Sequence, residues 1–223
     1  MPDQVYPGLP EGNASFQDDM VKYYNDLKTA VGEQTEPARW PGDTRDLAEE
    51  ILAIHAGLDM TVEHGKDTPK RFVSMLDELT ECKHCNGDCI KWKTFEANVD
   101  QMVIVKRIPF SSVCNHHVVP FVGFAWIGYV PGDKVAGLSK FARVVKHFAR
   151  RLQVQEELTE DIGGFLFQAL RPKGVIVRLE AEHLCMTIRG VQSPGTTTVT
   201  TYTTGVFADH TRTAKMEFLE GIK

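Results

Sequence analysis

The order of hydrophobic patterns in the second half of the chain constrains the fold more than any other feature. Apolar residues there follow either the alternation of a strand or the spacing of an amphipathic helix. The segments run strand, strand, strand, helix, helix, strand, strand, over residues 92–100, 101–111, 121–131, 139–152, 155–170, 174–189 and 196–207. This order predicts an α+β domain with helices on one face of an antiparallel sheet.

A helical segment precedes this domain. Residues 15–31, 44–58 and 68–79 carry apolar side chains at helical spacing, and Thr68-Pro69 is typical of an N-cap followed by proline at the first helical position. The residues before 13 are rich in proline and glycine, which predicts a tail. We therefore expect two parts: residues 1–91 with the tail, the helices and a cysteine-containing loop, and residues 92–223 as the catalytic domain.

Charge and hydropathy narrow the class of protein. The 25 basic and 30 acidic residues give a net charge of −5. Residues 134–155 nevertheless carry basic side chains and no acidic ones, so a phosphorylated small molecule is a better expected partner than nucleic acid. The most apolar window, 121–130, is far shorter than the roughly 20 residues of a membrane helix. With no secretory signal pattern, we expect a cytoplasmic protein that does not contact membranes.

Cysteine and histidine residues form one candidate metal site. Cys114 and His117 are three residues apart, which lets both side chains reach one ion, although a buried cysteine beside surface histidines would explain them equally well. The strand predicted over 174–189 changes this balance, because its period places His183 and Cys185 on the core-facing side, together with Arg189. Cys114, His117 and Cys185 then supply three zinc ligands with an open fourth position, typical of hydrolytic zinc. His116 and His183 remain as proton carriers.

A candidate anion site lies where the first helix of the domain begins. Ser139 and Lys140 stand at its predicted N-terminus, where free backbone N–H groups favour phosphate, and Arg143 shares their face. A solvated basic face is the alternative. Glu156 opens the next helix, where it either complements the helix dipole or accepts hydrogen bonds from a guanine ring. Gly163-Gly164 in that helix predicts close approach of a neighbouring backbone.

A second cysteine cluster spans Cys82–Cys89. Cys82, Cys85 and Cys89 are spaced for a metal, but a structural site needs four ligands and His84 is poorly placed to be one. We therefore expect a loop of free thiols, with metal binding as the alternative.

Six motifs resemble the GTP cyclohydrolase I family, over residues of about 47–219. They are Thr68-Pro69-Lys70-Arg71, Cys114-x-His116-His117, Gly137-Leu138-Ser139-Lys140, Arg151-Leu152-Gln153-Val154-Gln155-Glu156, His183-x-Cys185 and Arg189-Gly190. The resemblance implies the tunnelling fold, an α+β fold in which an antiparallel four-stranded sheet has two helices between its strand pairs. It assigns one Zn²⁺ per subunit to Cys114, His117 and Cys185. It also implies a homo-oligomer, typically a decamer, with active sites between subunits.

The resemblance further implies roles for individual residues. His116 and His183 take acid–base roles, with Ser139 and Gln155 in the catalytic set. Lys140, Arg143, Arg189 and Arg71, with Ser139, face the triphosphate and ribose, whereas Glu156 and Gln155 face guanine. The implied reaction hydrolyses GTP at carbon 8 of the purine and gives formate and 7,8-dihydroneopterin triphosphate.

Three departures from the family pattern leave alternatives open. Asn115 stands where the family usually has glutamate, Ser74 where some members have lysine, and the Cys82–Cys89 loop is a variant or an insertion. Asn115 permits a non-catalytic, zinc-stabilised nucleotide-binding or regulatory member of the fold, although His116 and His183 are both present. A nitrile reductase of related fold is disfavoured, since it uses a nucleophilic cysteine without zinc.

Overall fold

The computed structural model of the chain describes residues 44–83, 85–96, 99–208 and 213–223. The helix predicted over 15–31, the N-terminal tail and His84 lie outside these residues. Residues Gly42–Lys223 are grouped as one compact unit. Among the described helices, none has both the length and the apolar character that crossing a bilayer requires.

Within the described residues, two of the predicted helices precede the sheet. Helix α1 spans Thr44–Ala56 and α2 spans Thr68–Leu79. The N-cap of α2 is Asp67 rather than Thr68, so that prediction is wrong by one residue. Thr68 already lies inside the helix, and its hydroxyl donates back to the carbonyl of His64 at 3.2 Å.

The rest of the described chain forms a mixed sheet and helices. In chain order the elements are β1 Thr94–Glu96, β2 Val103–Cys114, β3 Pro120–Val130, β4 Lys134–Ala136, α3 Ser139–Ala149, β5 Leu152–Gln153, α4 Gln155–Leu170, β6 Gly174–His183, α5 Leu184–Thr187, β7 Thr197–Gly205 and α6 Thr213–Gly221. The main sheet has the order β5-β2-β3-β6-β7, and β1 pairs with β4 separately. The α+β class is therefore confirmed, with four antiparallel strands and a short parallel β5 added at the edge.

One face of the sheet carries the main core. Phe121, Ala125, Ile127 and Tyr129 alternate along β3 and pack with the apolar sides of α3 and α4. A β-bulge in β2 between Val105 and Ile108 keeps both of these residues in contact with that core. Without the bulge, residues three apart such as Val105 and Ile108 would point to opposite faces of the sheet. The bulge places both on the face that packs against the core.

The opposite face of the sheet is only partly covered. Phe218 of α6 packs there on Trp126 and Ile176. Nearer the start of β3, the side chains of Val122, Phe124 and Val199 are exposed by 36–43%. The described chain therefore leaves an apolar patch on this face.

Two predicted elements end early. The strand predicted over 174–189 ends at His183, because its last partner on β3 is Phe121 and its pairing with β7 begins at Glu182. The chain then forms the single turn α5, so the prediction that Cys185 and Arg189 continue the core-facing side of a strand is wrong. Of the strand predicted over 92–100, the described residues that form a strand are Thr94–Glu96, which pair with β4.

Helix packing corrects two smaller predictions. Leu152, the last residue of the helix predicted over 139–152, lies after the helix in β5 and is 44% exposed. Gly163 does face a close neighbour, but the neighbour is a side chain: an added Cβ would lie 2.1 Å from the Tyr202 ring.

Candidate active site

The predicted metal ligands meet where β2 and β6 end, on either side of the beginning of β3. Cys114 is the last residue of β2, His117 lies in the following turn, and Cys185 lies in α5 directly after β6. Register places Phe121 opposite His183, so β3 holds the two ends side by side. The ligand atoms of Cys114, His117 and Cys185 all lie within 4.8 Å of one another. The structure thus brings the three predicted side chains together, although the strand assumed for Cys185 is wrong.

The turn after β2 is fixed by backbone hydrogen bonds. The N–H of Val118 donates to the carbonyl of Cys114 at 2.9 Å, and Val118 has a positive φ of 53°. The N–H of Asn115 donates to Gln153 in β5, which ties the turn to the sheet edge. Cys114 is buried, whereas His116 and His117 are exposed, and each places Nδ1 4.0 Å from Cys114 Sγ.

The thiol of Cys185 is affected by burial and by its charged and polar neighbours. Burial raises the pKa of Cys185, and the neighbouring thiol of Cys114 raises it further, whereas Arg189 lowers it. Two sulfur atoms this close disfavour charge on both unless a cation lies between them. A soft divalent cation reverses that effect, since it is bound by the deprotonated forms. The donor set of two thiolates and one imidazole fits zinc.

His183 is held by a buried glutamine. Its Nε2 lies 2.8 Å from Oε1 of Gln155, and its ring stacks on Phe121 with centroids 4.7 Å apart. Gln155 Nε2 donates to the carbonyl of Thr198 at 3.0 Å, and because a carbonyl only accepts, the glutamine oxygen faces the histidine. Nε2 of His183 therefore carries the hydrogen, which leaves Nδ1 as the acceptor of the neutral ring. Burial lowers the pKa of His183, while the charge of Glu156 acts in the opposite direction.

Gln155 itself is almost completely buried, at 1% exposure, because it begins α4 against the sheet. Its amide is used within the chain, with donors to Thr198 and Thr200. Glu156, the next residue, is exposed.

The predicted phosphate-binding residues lie in the N-terminal half of α3. Ser139 begins this helix and is exposed, Arg143 is exposed one turn later, and Lys140 donates from Nζ to the carbonyl of Lys91. The C-terminal end of α3 leads into β5, which pairs with Val113 and Cys114. A helix of 11 residues is about 16 Å long, so Ser139 and Lys140 lie about one helix length from the end of α3 that leads to β5.

Two further predicted contacts come from other elements. Arg71 lies on α2, is exposed, and pairs with Asp67 at 3.4 Å. Arg189 follows α5 and is exposed, although the predicted strand would have buried it. Its charge acts on Cys185, so it lies beside the metal cluster.

A second cluster of metal-binding side chains joins the cysteine loop to α3. The ligand atoms of Cys85, Cys89 and His147 also lie within 4.8 Å of one another. The sequence analysis assigned no ligand role to His147, which is only 7% exposed. The missed signal is a histidine inside the apolar stripe of an amphipathic helix, next to Phe148. Burial lowers the pKa of His147, which favours the neutral ring.

Comparison with known proteins then decides the family. A family model described as GTP cyclohydrolase I matches residues 45–223. The chain belongs to the GTP cyclohydrolase I family. It is 42% identical over 199 residues to GTP cyclohydrolase 1 of Synechococcus sp. (strain JA-3-3Ab), covering 89% of this chain and 86% of the relative. It is 47% identical over 167 residues to that of Aquifex aeolicus (strain VF5), covering 75% and 89%.

Other members of the family match over comparable lengths. GTP cyclohydrolase 1 of Bacillus mycoides (strain KBAB4) is 45% identical over 177 residues, which cover 79% of this chain and 93% of the relative. Among solved structures, that of the archaeosine synthase QueF-Like in the apo form matches with 20% sequence identity and a TM-score of 0.40, covering 48% of this chain and 97% of that chain.

Proposed function

We propose that this family member is a zinc-dependent GTP cyclohydrolase I, which converts GTP and water to 7,8-dihydroneopterin triphosphate and formate. The observation that carries the proposal is the meeting of Cys114, His117 and Cys185 at the ends of β2 and β6. Family membership over residues 45–223 supplies the reaction class.

Cys114, His117 and Cys185 are the proposed ligands of one zinc ion. Three protein ligands leave a fourth position for water, as in catalytic zinc sites. Zinc bound there would lower the pKa of its water to about 7 and supply hydroxide for attack on carbon 8 of guanine.

Three residues of the chain are proposed to take part in proton transfer. His183, with Nε2–H fixed on Gln155, presents Nδ1 as a base beside the metal cluster. His116 is exposed in the turn that carries His117, which leaves its ring free to exchange protons with solvent and substrate. Ser139 is the remaining proposed catalytic residue, at the exposed beginning of α3.

Cations and one carboxylate are the proposed substrate contacts. Lys140, Arg143, Arg189 and Arg71 bind the triphosphate and ribose through charge-assisted hydrogen bonds. Glu156 accepts from the guanine ring, and it is exposed beside the Gln155–His183 pair. The phosphates serve as binding groups and remain on the product.

A homo-oligomer, a decamer by family resemblance, completes the proposed site. Within one chain, the beginning of α3 lies about one helix length away from the metal cluster. A second copy that brings its Ser139, Lys140 and Arg143 to the first copy's cluster supplies the missing cations. The apolar patch of Val122, Phe124 and Val199 supports burial of this sheet face between copies.

The positions of the proposed site residues support the proposed division of the chain into two parts. All proposed site residues except Arg71 belong to residues 92–223, the proposed catalytic domain, and residues 1–91 form the N-terminal appendage. A cytoplasmic location remains a prediction from the sequence.

Incubation of the purified chain with GTP tests the proposal. We expect formate and a fluorescent pterin after oxidation of the product, both abolished by a chelator and restored by added zinc. A protein that binds GTP but releases neither product is the regulatory alternative that Asn115 permits, and it would overturn the proposed activity.

A further inference from the structure

Cys85, Cys89 and His147 form a compact group that the proposed reaction does not use. The two cysteines lie in the loop between α2 and β1, and the histidine lies near the end of α3. Cys85 Sγ is 3.0 Å from Cys89 Sγ, and Cys89 Sγ is 3.5 Å from Nδ1 of His147. Side chains 58 residues apart in sequence thus converge on one point.

The spacing of this group is close to that of a tetrahedral zinc site. Zn–S and Zn–N bond lengths imply S···N edges of about 3.6 Å and S···S edges of about 3.8 Å. The observed S···N distance of 3.5 Å fits the first value. The sulfur atoms need to separate by under about 1 Å, and Cys89 is exposed at the surface, where its side chain can rotate.

The histidine is oriented as a metal ligand. Nε2 of His147 lies 3.1 Å from the carbonyl oxygen of Cys85, and because a carbonyl only accepts, Nε2 carries the hydrogen. Nδ1 therefore presents a lone pair towards Cys89 Sγ. A ring nitrogen that donates to a backbone carbonyl while the other binds the ion is the usual arrangement of metal-bound histidine.

The conformation of the loop depends on a glycine between the two cysteines. Gly87 has a φ of 93°, and a Cβ there would lie 2.6 Å from the Phe165 ring. Only glycine fits this turn without displacing the core, so the loop is built in this conformation.

Charges around the group are compatible with a bound cation. Arg151 donates from Nε to the carbonyl of Cys82 at 3.1 Å and from its terminal nitrogen to that of Cys85. Its other terminal nitrogen pairs with Asp161 at 2.9 Å, so the arginine charge is balanced. Two thiolates and one divalent ion add no net charge.

We propose that Cys85, Cys89 and His147 bind a second zinc ion and that this ion fastens the cysteine loop to α3. The same loop supplies the Lys91 carbonyl that holds Lys140, so the ion orders a region next to a proposed substrate contact. The total becomes two zinc ions per chain instead of the one that the family resemblance implies.

Zinc counts on the full-length chain test the proposal. Wild type should carry two equivalents per chain by mass spectrometry of the metal, and the Cys85→Ser/Cys89→Ser variant should carry one and unfold at a lower temperature. Cys185→Ser should also carry one equivalent, because it loses the ion of the Cys114, His117 and Cys185 site. The two variants therefore distinguish failure of the second-site proposal from failure of the proposed function. Cys82→Ser is the matched control in the same loop and should retain two.

Alkylation of the wild-type protein tests the second site without any substitution, and it is therefore informative even if the loop variant does not fold. The exposed Cys89 should resist iodoacetamide until a chelator is added, while Cys82 should react similarly in both conditions. One zinc per wild-type chain, equal alkylation of Cys89 with and without chelator, or a Cys85–Cys89 disulfide in the purified protein would each overturn the second site.

Discussion

At the scale of single residues, Gln155 explains how a histidine beside a metal cluster keeps one orientation. Its amide donates to Thr198 and Thr200, and its oxygen then has one remaining partner, His183. Because the glutamine is buried and its donors are occupied, the ring nitrogen that faces it is fixed as a donor. Gln155 thus acts as a positioning residue in this chain, whatever contact it makes with guanine.

We predict that Gln155→Met lowers kcat by about 10- to 100-fold with a smaller change in KM, since an oriented base contributes about 10²- to 10⁴-fold. The control is Thr159→Val, which removes the neighbouring hydroxyl bonded to Thr200 without touching His183. Both variants should lose about 1–3 kcal/mol of unfolding free energy. Equal loss of kcat in both variants would show that the network only supports the fold.

Some of the individual site residues could be predicted from the sequence and others could not. Cys114 and His117 follow from spacing alone, because three residues of turn bring two side chains to one point. Cys185 was found by an incorrect route, since only the pairing limits of β3 and β7 reveal that β6 ends at His183. His147 could not be identified as a ligand, because its partners are about 60 residues away and loop placement depends on tertiary contacts.

At the scale of elements, the packing of α4 on the sheet depends on Gly163. Tyr202 of β7 lies against the helix there, and burial raises the pKa of Tyr202 to about 12. The sequence predicted close approach at this glycine, but a repeat of small residues does not reveal whether backbone or side chain fills the space.

We predict that Gly163→Ala destabilises the protein by about 1–3 kcal/mol, although alanine is the better helix former by about 1 kcal/mol. The cause is overlap of the new methyl group with the Tyr202 ring. Tyr202→Leu should lower stability by itself, yet combining it with Gly163→Ala should recover part of the loss. If chemical denaturation shows that the two losses of unfolding free energy simply add in the double variant, the strain does not arise from the contact between the new methyl group and the Tyr202 ring.

At the scale of the whole molecule, α3 separates two halves of the proposed site. Its C-terminal end leads to β5 beside Cys114, whereas Ser139, Lys140 and Arg143 occupy its first turns. The α+β class and the two helices between strand pairs were predictable from periodicity, because each element is long and strongly amphipathic. The separation was not, since it depends on the direction in which α3 crosses the sheet.

We predict complementation between two inactive chains, Cys185→Ser and Lys140→Ala/Arg143→Ala, when they are co-expressed with different tags and purified through both. If the two halves come from different copies, roughly a quarter of the sites in a random assembly contain both intact halves. Activity should rise to about that fraction of wild type.

The matched control pairs Cys185→Ser with Glu156→Ala. Glu156 follows Gln155, which bonds His183 in the same chain, so both lesions fall in one half of the site. Each copy then contributes a half-site that lacks either Cys185 or Glu156, so no site in the mixture is complete. We expect no recovery of activity. Recovery in this control, or none in the first mixture, would refute the shared site as described.

The central claim is that this chain opens the purine ring of GTP at carbon 8 using the Cys114, His117 and Cys185 site. GTP labelled with carbon-13 at carbon 8 tests it most directly, followed by NMR with wild type and Cys185→Ser. The account predicts that the label leaves the purine as formate with wild type and stays in GTP with the variant. Label retained in the purine by the zinc-loaded wild-type protein, or released equally by Cys185→Ser, would contradict it.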